Sequence, residues 1–140
     1  MKLLTKEIRD RLPPLYGQEG AGDDAIVYVK YFTPWTSWTW YITEGSGVVI
    51  IDEEEKNVPL SELDEKMGHL FWKDNPVVDV RFFGLVDGLC AEWGYVLLRA
   101  ELEAQHGPWG LKIERDLYFD LQPIKKVKEK MDSYALALGG

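Results

Sequence analysis

The stretch VDVRFFGLVDG, residues 78–88, contains the clearest strand pattern in the chain and decides how its second half folds. Apolar residues recur at every second position from Val78 to Val86, which is the period of a β-strand. The stretch ends in Asp87-Gly88, a dipeptide typical of two-residue hairpin turns. Residues 93–98 follow as the expected antiparallel partner. The pattern therefore predicts a β-hairpin.

A second hairpin is predicted nearer the N-terminus. β-branched and aromatic residues run almost without a break over residues 25–32, and the same pattern resumes over residues 37–43. Alternation places Trp38, Trp40 and Ile42 on one face of the later strand. We expect this face to lie against the core.

Three helices are predicted around these strands. The first covers residues 5–12, with Thr5 as its N-cap, and the second covers residues 61–67 and ends at Gly68. The third follows Pro123 and carries a stripe of apolar residues at steps of three and four: Ile124, Val127, Met131, Tyr134 and Leu138. The fold class predicted from these elements is α+β, with an antiparallel sheet of four to six strands, flanking helices and a C-terminal amphipathic helix.

Length and composition indicate one domain over residues 1–140, because chains of this size commonly bury a single core. The net charge of −8 is uneven: four lysines and one glutamate give +3 over residues 125–130, which leaves −11 for the rest. An acidic body disfavours a broad contact with nucleic acid, because phosphate binding relies on lysine and arginine. No apolar run approaches the roughly 20 residues that span a bilayer, so no membrane contact is expected.

A cytoplasmic location is expected from two further features. The first residues lack the continuous apolar segment of a secretory leader. The only cysteine, Cys90, excludes an internal disulfide framework.

Two blocks of motifs resemble a known family. The first contains VKYFTP at 29–34 and TWYITE at 39–44, and the second contains FGLVD at 83–87, GPWGL at 107–111 and IERDLYF at 113–119. In order and spacing they are similar to a family of short bacterial proteins catalogued as a domain of unknown function, common on plasmids, phages and integrating elements. The resemblance implies an origin in mobile-element cargo and brings no catalytic residues with it. Against that pattern, residues 46–79 are expected to be an insertion and residues 121–138 a helical extension.

Signatures of catalysis are few. A nucleophilic triad needs a histidine, and His69 and His106 are both expected at helix ends. No glycine-rich phosphate loop occurs, and no cofactor or metal is predicted. The candidates for a metal-dependent or two-carboxylate hydrolase are carboxylates at strand ends or in the family-like motifs: Glu44, Asp87, Glu92, Glu114 and Asp116. Structural ion pairs with Arg81 or Arg115 are the competing interpretation of these acids.

The candidate binding residues combine aromatic and basic side chains: Trp35, Tyr41, Arg115, Lys125 and Lys126. Exposed rings on a sheet can stack on the bases of a single strand. Such platforms carry interleaved lysine and arginine, however, and only Lys30 lies among the aromatic residues here. A core role for most of the rings is therefore favoured.

The absence of a catalytic signature favours a function by binding. We expect a non-enzymatic accessory protein of mobile elements that binds another protein, either as an acidic DNA mimic that occupies a host enzyme or as an anti-defence factor. A hydrolase or metal-dependent enzyme using clustered carboxylates and a protein that binds single-stranded nucleic acid are the alternatives.

Overall fold

A computed structural model describes residues 1–137 of the protein, with side chains to residue 133. In chain order its elements are α1 (Lys6–Arg11), β1 (Ile26–Val27), β2 (Val29–Phe32), β3 (Thr39–Ile51), β4 (Glu54–Pro59), β5 (Asp64–Lys66), β6 (His69–Trp72), β7 (Asn75–Asp87), β8 (Ala91–Leu97), β9 (Glu114–Arg115), β10 (Gln122–Pro123) and α2 (Ile124–Ala137). Short helical turns at Gly22–Asp24, Leu60–Glu62, Leu98–Leu102 and Pro108–Gly110 connect them. No helix among these residues is long and apolar enough to cross a membrane.

Strands β3 and β7 form the centre of a curled, eight-stranded antiparallel sheet. They pair with each other from Thr39 to Val49, with register shifts between Ile42 and Glu44 and between Val48 and Val49. On its other side β3 pairs first with β2 and then with β4, and β7 pairs with β6 and then with β8. Strands β5 and β9 complete the sheet, while β1 and β10 form a separate ribbon.

Two-residue turns close three of the connections between β3 and β7, while the helical turn Leu60–Glu62 connects β4 to β5. The pairs Asp52-Glu53, Met67-Gly68 and Lys73-Asp74 all have positive φ at both positions. This is the backbone of a type I′ turn, whose twist matches that of antiparallel strands. Each pair therefore closes a tight hairpin.

The predicted α+β class is wrong, because the protein is β-rich, with 42% strand and 23% helix, and its sheet has eight strands where four to six were predicted. The error lies mainly in the helix predicted over residues 61–67. Its start signals, Ser61 and Asp64, enter a short turn and β5, and Gly68 belongs to the β5–β6 hairpin turn. Pairing with β6 in the sheet overrides these weak local helix signals.

The main core lies on one face of the sheet. Trp40 and Ile42 are buried there, as predicted, together with Tyr31 and Phe82. Trp38 precedes β3 and is exposed, so its predicted burial is wrong. α1 closes this core, and Thr5 Oγ1 accepts the expected capping hydrogen bond from the Ile8 amide.

A second core lies on the opposite face, beneath α2. Ile124 and Val127 are buried against Val27 and Leu85, with Met131 packed at the margin. These three positions confirm the beginning of the predicted stripe. Leu138 and the side chain of Tyr134 lie outside the described residues.

Candidate binding site

An open cavity of about 260 Å³ lies on the face of the sheet that α2 partly covers. One wall is the loop before β1, and the other consists of β7 and β8. The side chains that give the cavity its chemistry are Tyr16, Glu19, Glu44, Phe83, Trp93 and Tyr95.

The aromatic wall follows from the register of β7 and β8. Phe83 pairs with Tyr95 and Leu85 pairs with Trp93, so these side chains share one face of the sheet. The Phe83 ring stacks on Trp93 with centroids 5.6 Å apart, and it lies 4.9 Å from the Tyr95 ring in a tilted contact. Trp93 is 38% exposed and Tyr95 is 51% exposed. The rings are thus held in place by one another while remaining accessible.

Glu44 fixes the loop wall. Its carboxylate is almost fully buried and accepts hydrogen bonds from the backbone amides of Tyr16 and Gln18, both at 2.9 Å. The Gln18 side chain in turn donates to the carbonyl oxygens of Ile26 and Thr43 at 2.8 Å. Charged acceptors make the stronger class of hydrogen bond, so the loop is anchored firmly to β1 and β3.

The cavity is negatively charged. The pKa of Tyr95 is raised above its ordinary value, chiefly by its hydrogen bond with the Tyr16 hydroxyl and then by burial and the charges of Tyr16, Glu44 and Glu19. Among the described residues that line the cavity there is no lysine or arginine. Aromatic faces next to carboxylates attract a cationic side chain, because the ring quadrupole and the formal charges act in the same direction.

The predicted catalytic carboxylates lie in different places. Glu44 lines the aromatic cavity, whereas Glu114 and Asp116 line another one together with Lys30. Lys30 Nζ lies 3.5 Å from Asp116 Oδ2, and Asp116 Oδ1 accepts a hydrogen bond from the Tyr118 amide. Asp116 is thus held in a local turn.

Asp87 and Asp116 lie near a common neighbour, Tyr41. Burial, the largest cause, and then the charges of Asp87 and Asp116 raise the pKa of Tyr41. Glu92 is exposed on β8. Within the described part of the chain no three His, Cys, Asp or Glu side chains form a group that could hold a metal ion. Catalytic roles for these carboxylates stay a prediction.

The arginines that were expected to pair with these acids have other partners. Arg115 donates through Nε to the carbonyl oxygen of Lys2 at 3.2 Å. Arg81 donates to Asn57 and lies 3.5 Å from Glu55. These contacts tie β9 to the N-terminus and β7 to β4.

Of the predicted binding residues, Trp35 and Tyr41 are half-buried. The Trp35 ring packs so closely on Gly107 that a side chain there would overlap it, and Tyr41 packs against Phe119. Lys126 is exposed, while Lys125 pairs with Asp24 at 3.3 Å. These residues do not converge with the aromatic cavity.

The cavity residues that sequence reasoning missed are Tyr16, Glu19, Phe83, Trp93 and Tyr95. A signal for the last three is present in the sequence, since antiparallel pairing across the turn after Asp87 brings Phe83, Trp93 and Tyr95 onto one face. Tyr16 carries no such signal, because a loop residue reaches the site only through the contacts of Glu44 and Gln18.

The fold and site define a β-rich domain with an acidic, aromatic cavity at the edge of its sheet. Residues 46–132 match a family described as Protein of unknown function (DUF2958). Because the match covers more than half of the chain, the protein belongs to this family. No curated protein and no solved structure matches the chain. The matched range contains Phe83, Trp93 and Tyr95, and it also contains residues 46–79, whose status as an insertion stays a prediction.

Proposed function

We propose that the protein is a non-enzymatic accessory protein that binds another protein through the aromatic cavity. The observation that carries this proposal is the stacked and accessible set of Phe83, Trp93 and Tyr95. Tryptophan and tyrosine are enriched among the residues that dominate binding energy at protein interfaces. Rings that are already ordered lose less conformational entropy when a partner binds.

The partner segment is basic. Glu19 and Glu44 border the rings, and the chain as a whole carries a net charge of −8. An arginine or lysine side chain can place its aliphatic stem on the rings and its charge near these carboxylates.

The same observations favour protein binding over the two alternatives. Glu44 already accepts two backbone hydrogen bonds, and Asp116 pairs with Lys30, so neither carboxylate is poised for proton transfer to a substrate. A nucleic-acid strand would bring phosphates to a cavity whose charged lining is acidic.

The resemblance to proteins of plasmids, phages and integrating elements supports a role as mobile-element cargo. A DNA-mimicking form of the proposal needs carboxylates spaced like phosphates along a convex surface. The longest run of acids, residues 52–55, instead lies together around the β3–β4 turn. This arrangement supports recognition by protein contact more than mimicry of DNA.

Site-specific photo-crosslinking tests the proposal. A photoreactive phenylalanine analogue replaces Trp93 in one variant and Trp109 in a matched control, since Trp109 is 96% exposed and lies outside the cavity. In an extract of the source cell we expect a discrete protein adduct at position 93 alone, weakened by added salt. Equal labelling at both positions, or none at position 93, contradicts the proposal.

A further inference from the structure

Strand β8 has a free outer edge. Among residues 1–137, β8 pairs with β7 alone, and it is seven residues long. The amides and carbonyls of alternate residues in such a strand point toward the neighbour, and those of the residues between them point outward.

The hydrogen bonds around β8 show which residues point outward. The Leu97 amide donates to Glu101 Oε1 at 2.9 Å, although Leu97 pairs with Arg81 of β7, so this amide is not used in the β7–β8 pairing. On β7, the Phe83 carbonyl accepts a hydrogen bond from Thr43 of β3, so the backbone of Phe83 points away from its partner Tyr95. With a regular register between the strands, the backbone groups of Ala91, Trp93 and Tyr95 therefore face outward.

These outward groups are open. Outside the pairing with β7, no described residue accepts a hydrogen bond from the amides of Ala91, Trp93 or Tyr95. Exposed edge strands are usually protected by lysine, proline or a covering segment. β8 contains neither lysine nor proline, and Glu101 closes only its last amide.

Cavities lie on both sides of this edge. The aromatic cavity occupies one face, and a second cavity of about 430 Å³ occupies the other, where Trp35, Trp40, Val96 and Glu101 line it. Tyr95 borders both cavities. Successive side chains of a strand placed beside β8 would enter the two cavities in turn.

We propose that β8 accepts an extended, basic segment of the partner protein as an added antiparallel strand. This inference rests on the proposed function and specifies its geometry. Residues of the partner that pair with Trp93 and Tyr95 place their side chains on the same face as these rings, beside Glu19. Cationic residues thus alternate with apolar ones that enter the second cavity.

The charge of the β8 edge favours a segment of a partner protein over a second copy of the chain. The edge carries Glu92 and Glu101, and β8 has no positively charged residue of its own. Pairing β8 with another β8 would bring these carboxylates together, which costs free energy. A basic segment is instead attracted by the same carboxylates.

Blocked peptides of alternating arginine and valine, long enough to span β8, provide the test. In one peptide the arginine amides are N-methylated, and in the other the valine amides are. Since arginine pairs with Trp93 and Tyr95, each arginine methyl removes a backbone hydrogen bond and weakens binding by about tenfold, whereas valine methylation leaves the affinity unchanged. Calorimetry gives the affinities, and hydrogen exchange shows the Trp93 and Tyr95 amides becoming protected.

The outcomes separate the two proposals. Equal binding of both methylated peptides, with binding lost in Trp93→Ala and kept in Trp109→Ala, overturns strand addition and leaves the cavity as a protein-binding site. No binding of the unmethylated peptide overturns the basic-partner proposal and strand addition with it. A third outcome is that, without peptide, the Trp93 amide becomes protected from hydrogen exchange as the protein concentration rises. This result assigns the β8 edge to a second copy of the chain and also overturns the inference.

Discussion

The buried hydroxyl group of Tyr31 makes the stability of the core depend on pH. It is fully buried, and its hydroxyl donates to the carbonyl oxygen of Leu3 at 2.6 Å. Burial, opposed by Arg115 and assisted by Glu103, raises the pKa of Tyr31 well above its ordinary value. Folding therefore favours the protonated form. The resulting stability is complete below the unfolded pKa of about 10 and is lost as the pH rises toward the folded pKa.

Tyr31→Phe tests this coupling. We expect the free energy of unfolding to fall by about 1–3 kcal/mol at neutral pH, because the buried carbonyl of Leu3 loses its donor. Above a pH of about 10 the variant should lose less additional stability than the wild type, since it has no hydroxyl to ionise. Urea unfolding across this range measures both effects, with the exposed Tyr118→Phe as the control. Parallel alkaline losses in the wild type and Tyr31→Phe would contradict the assignment.

Glu44 is the second residue whose role can be measured directly. In Glu44→Gln an amide replaces one of the oxygens that accept from Tyr16 and Gln18. We expect a loss of about 2 kcal/mol in the free energy of unfolding, the order found for hydrogen bonds to charged groups, and faster hydrogen exchange at these two amides. Glu19→Gln, an exposed carboxylate in the same loop, should leave both quantities nearly unchanged. Unaltered exchange in Glu44→Gln would show that another contact holds the loop.

At the scale of elements, the strands with strong alternation were predictable and the short hairpins were not. The period of two over residues 78–88 predicted β7, and the Asp87-Gly88 pair predicted the position of its turn into β8, although Asp87 pairs with Ala91 and the turn consists of residues 88–90. Residues 61–67 carried a capping pattern instead, and the strands that replace the predicted helix are stabilised by pairing within the sheet. Such pairing depends on residues outside the strand itself, so the sequence of a three-residue strand such as β5 carries little signal for it.

Gly84 and Gly94 face each other across β7 and β8, which makes them a matched pair for substitution. A Cβ at Gly84 would overlap the backbone carbonyl of Tyr41 on β3, whereas a Cβ at Gly94 meets nothing within 4 Å. Because the backbone cannot move without separating β3 from β7, Gly84→Ala should cost several kcal/mol or prevent folding. Gly94→Ala should change stability by less than about 1 kcal/mol. Thermal unfolding by circular dichroism compares them, and similar melting temperatures would refute the close approach.

At the scale of the whole molecule, the cavity depends on how distant segments are assembled. Alternation alone places Phe83, Trp93 and Tyr95 on one face of the hairpin. It does not indicate which part of that face α2 covers, and nothing in the sequence brings Tyr16 to it. The uneven distribution of charge along the chain also reflects contacts between distant segments. Lys125 and Lys128 of α2 pair with Asp24 and Asp23 of the acidic body. The basic segment thus contributes to docking α2 beside the cavity, and surface pairs of this kind add little stability by themselves.

Val127 tests whether apolar burial holds α2 in this position. Its side chain is 2% exposed in the second core, while the adjacent Lys126 is exposed. Val127→Asp places a carboxylate in an apolar environment, which should lower the free energy of unfolding by about 3 kcal/mol or more. The variant should also bind a hydrophobic fluorescent dye as α2 separates from Leu85. Lys126→Asp introduces the same carboxylate on the solvent side of the helix. This control should neither lower the free energy of unfolding nor increase dye binding. Equal stability and dye binding in the two variants would mean that α2 does not cover this face, and the aromatic cavity would then open onto a much larger apolar surface.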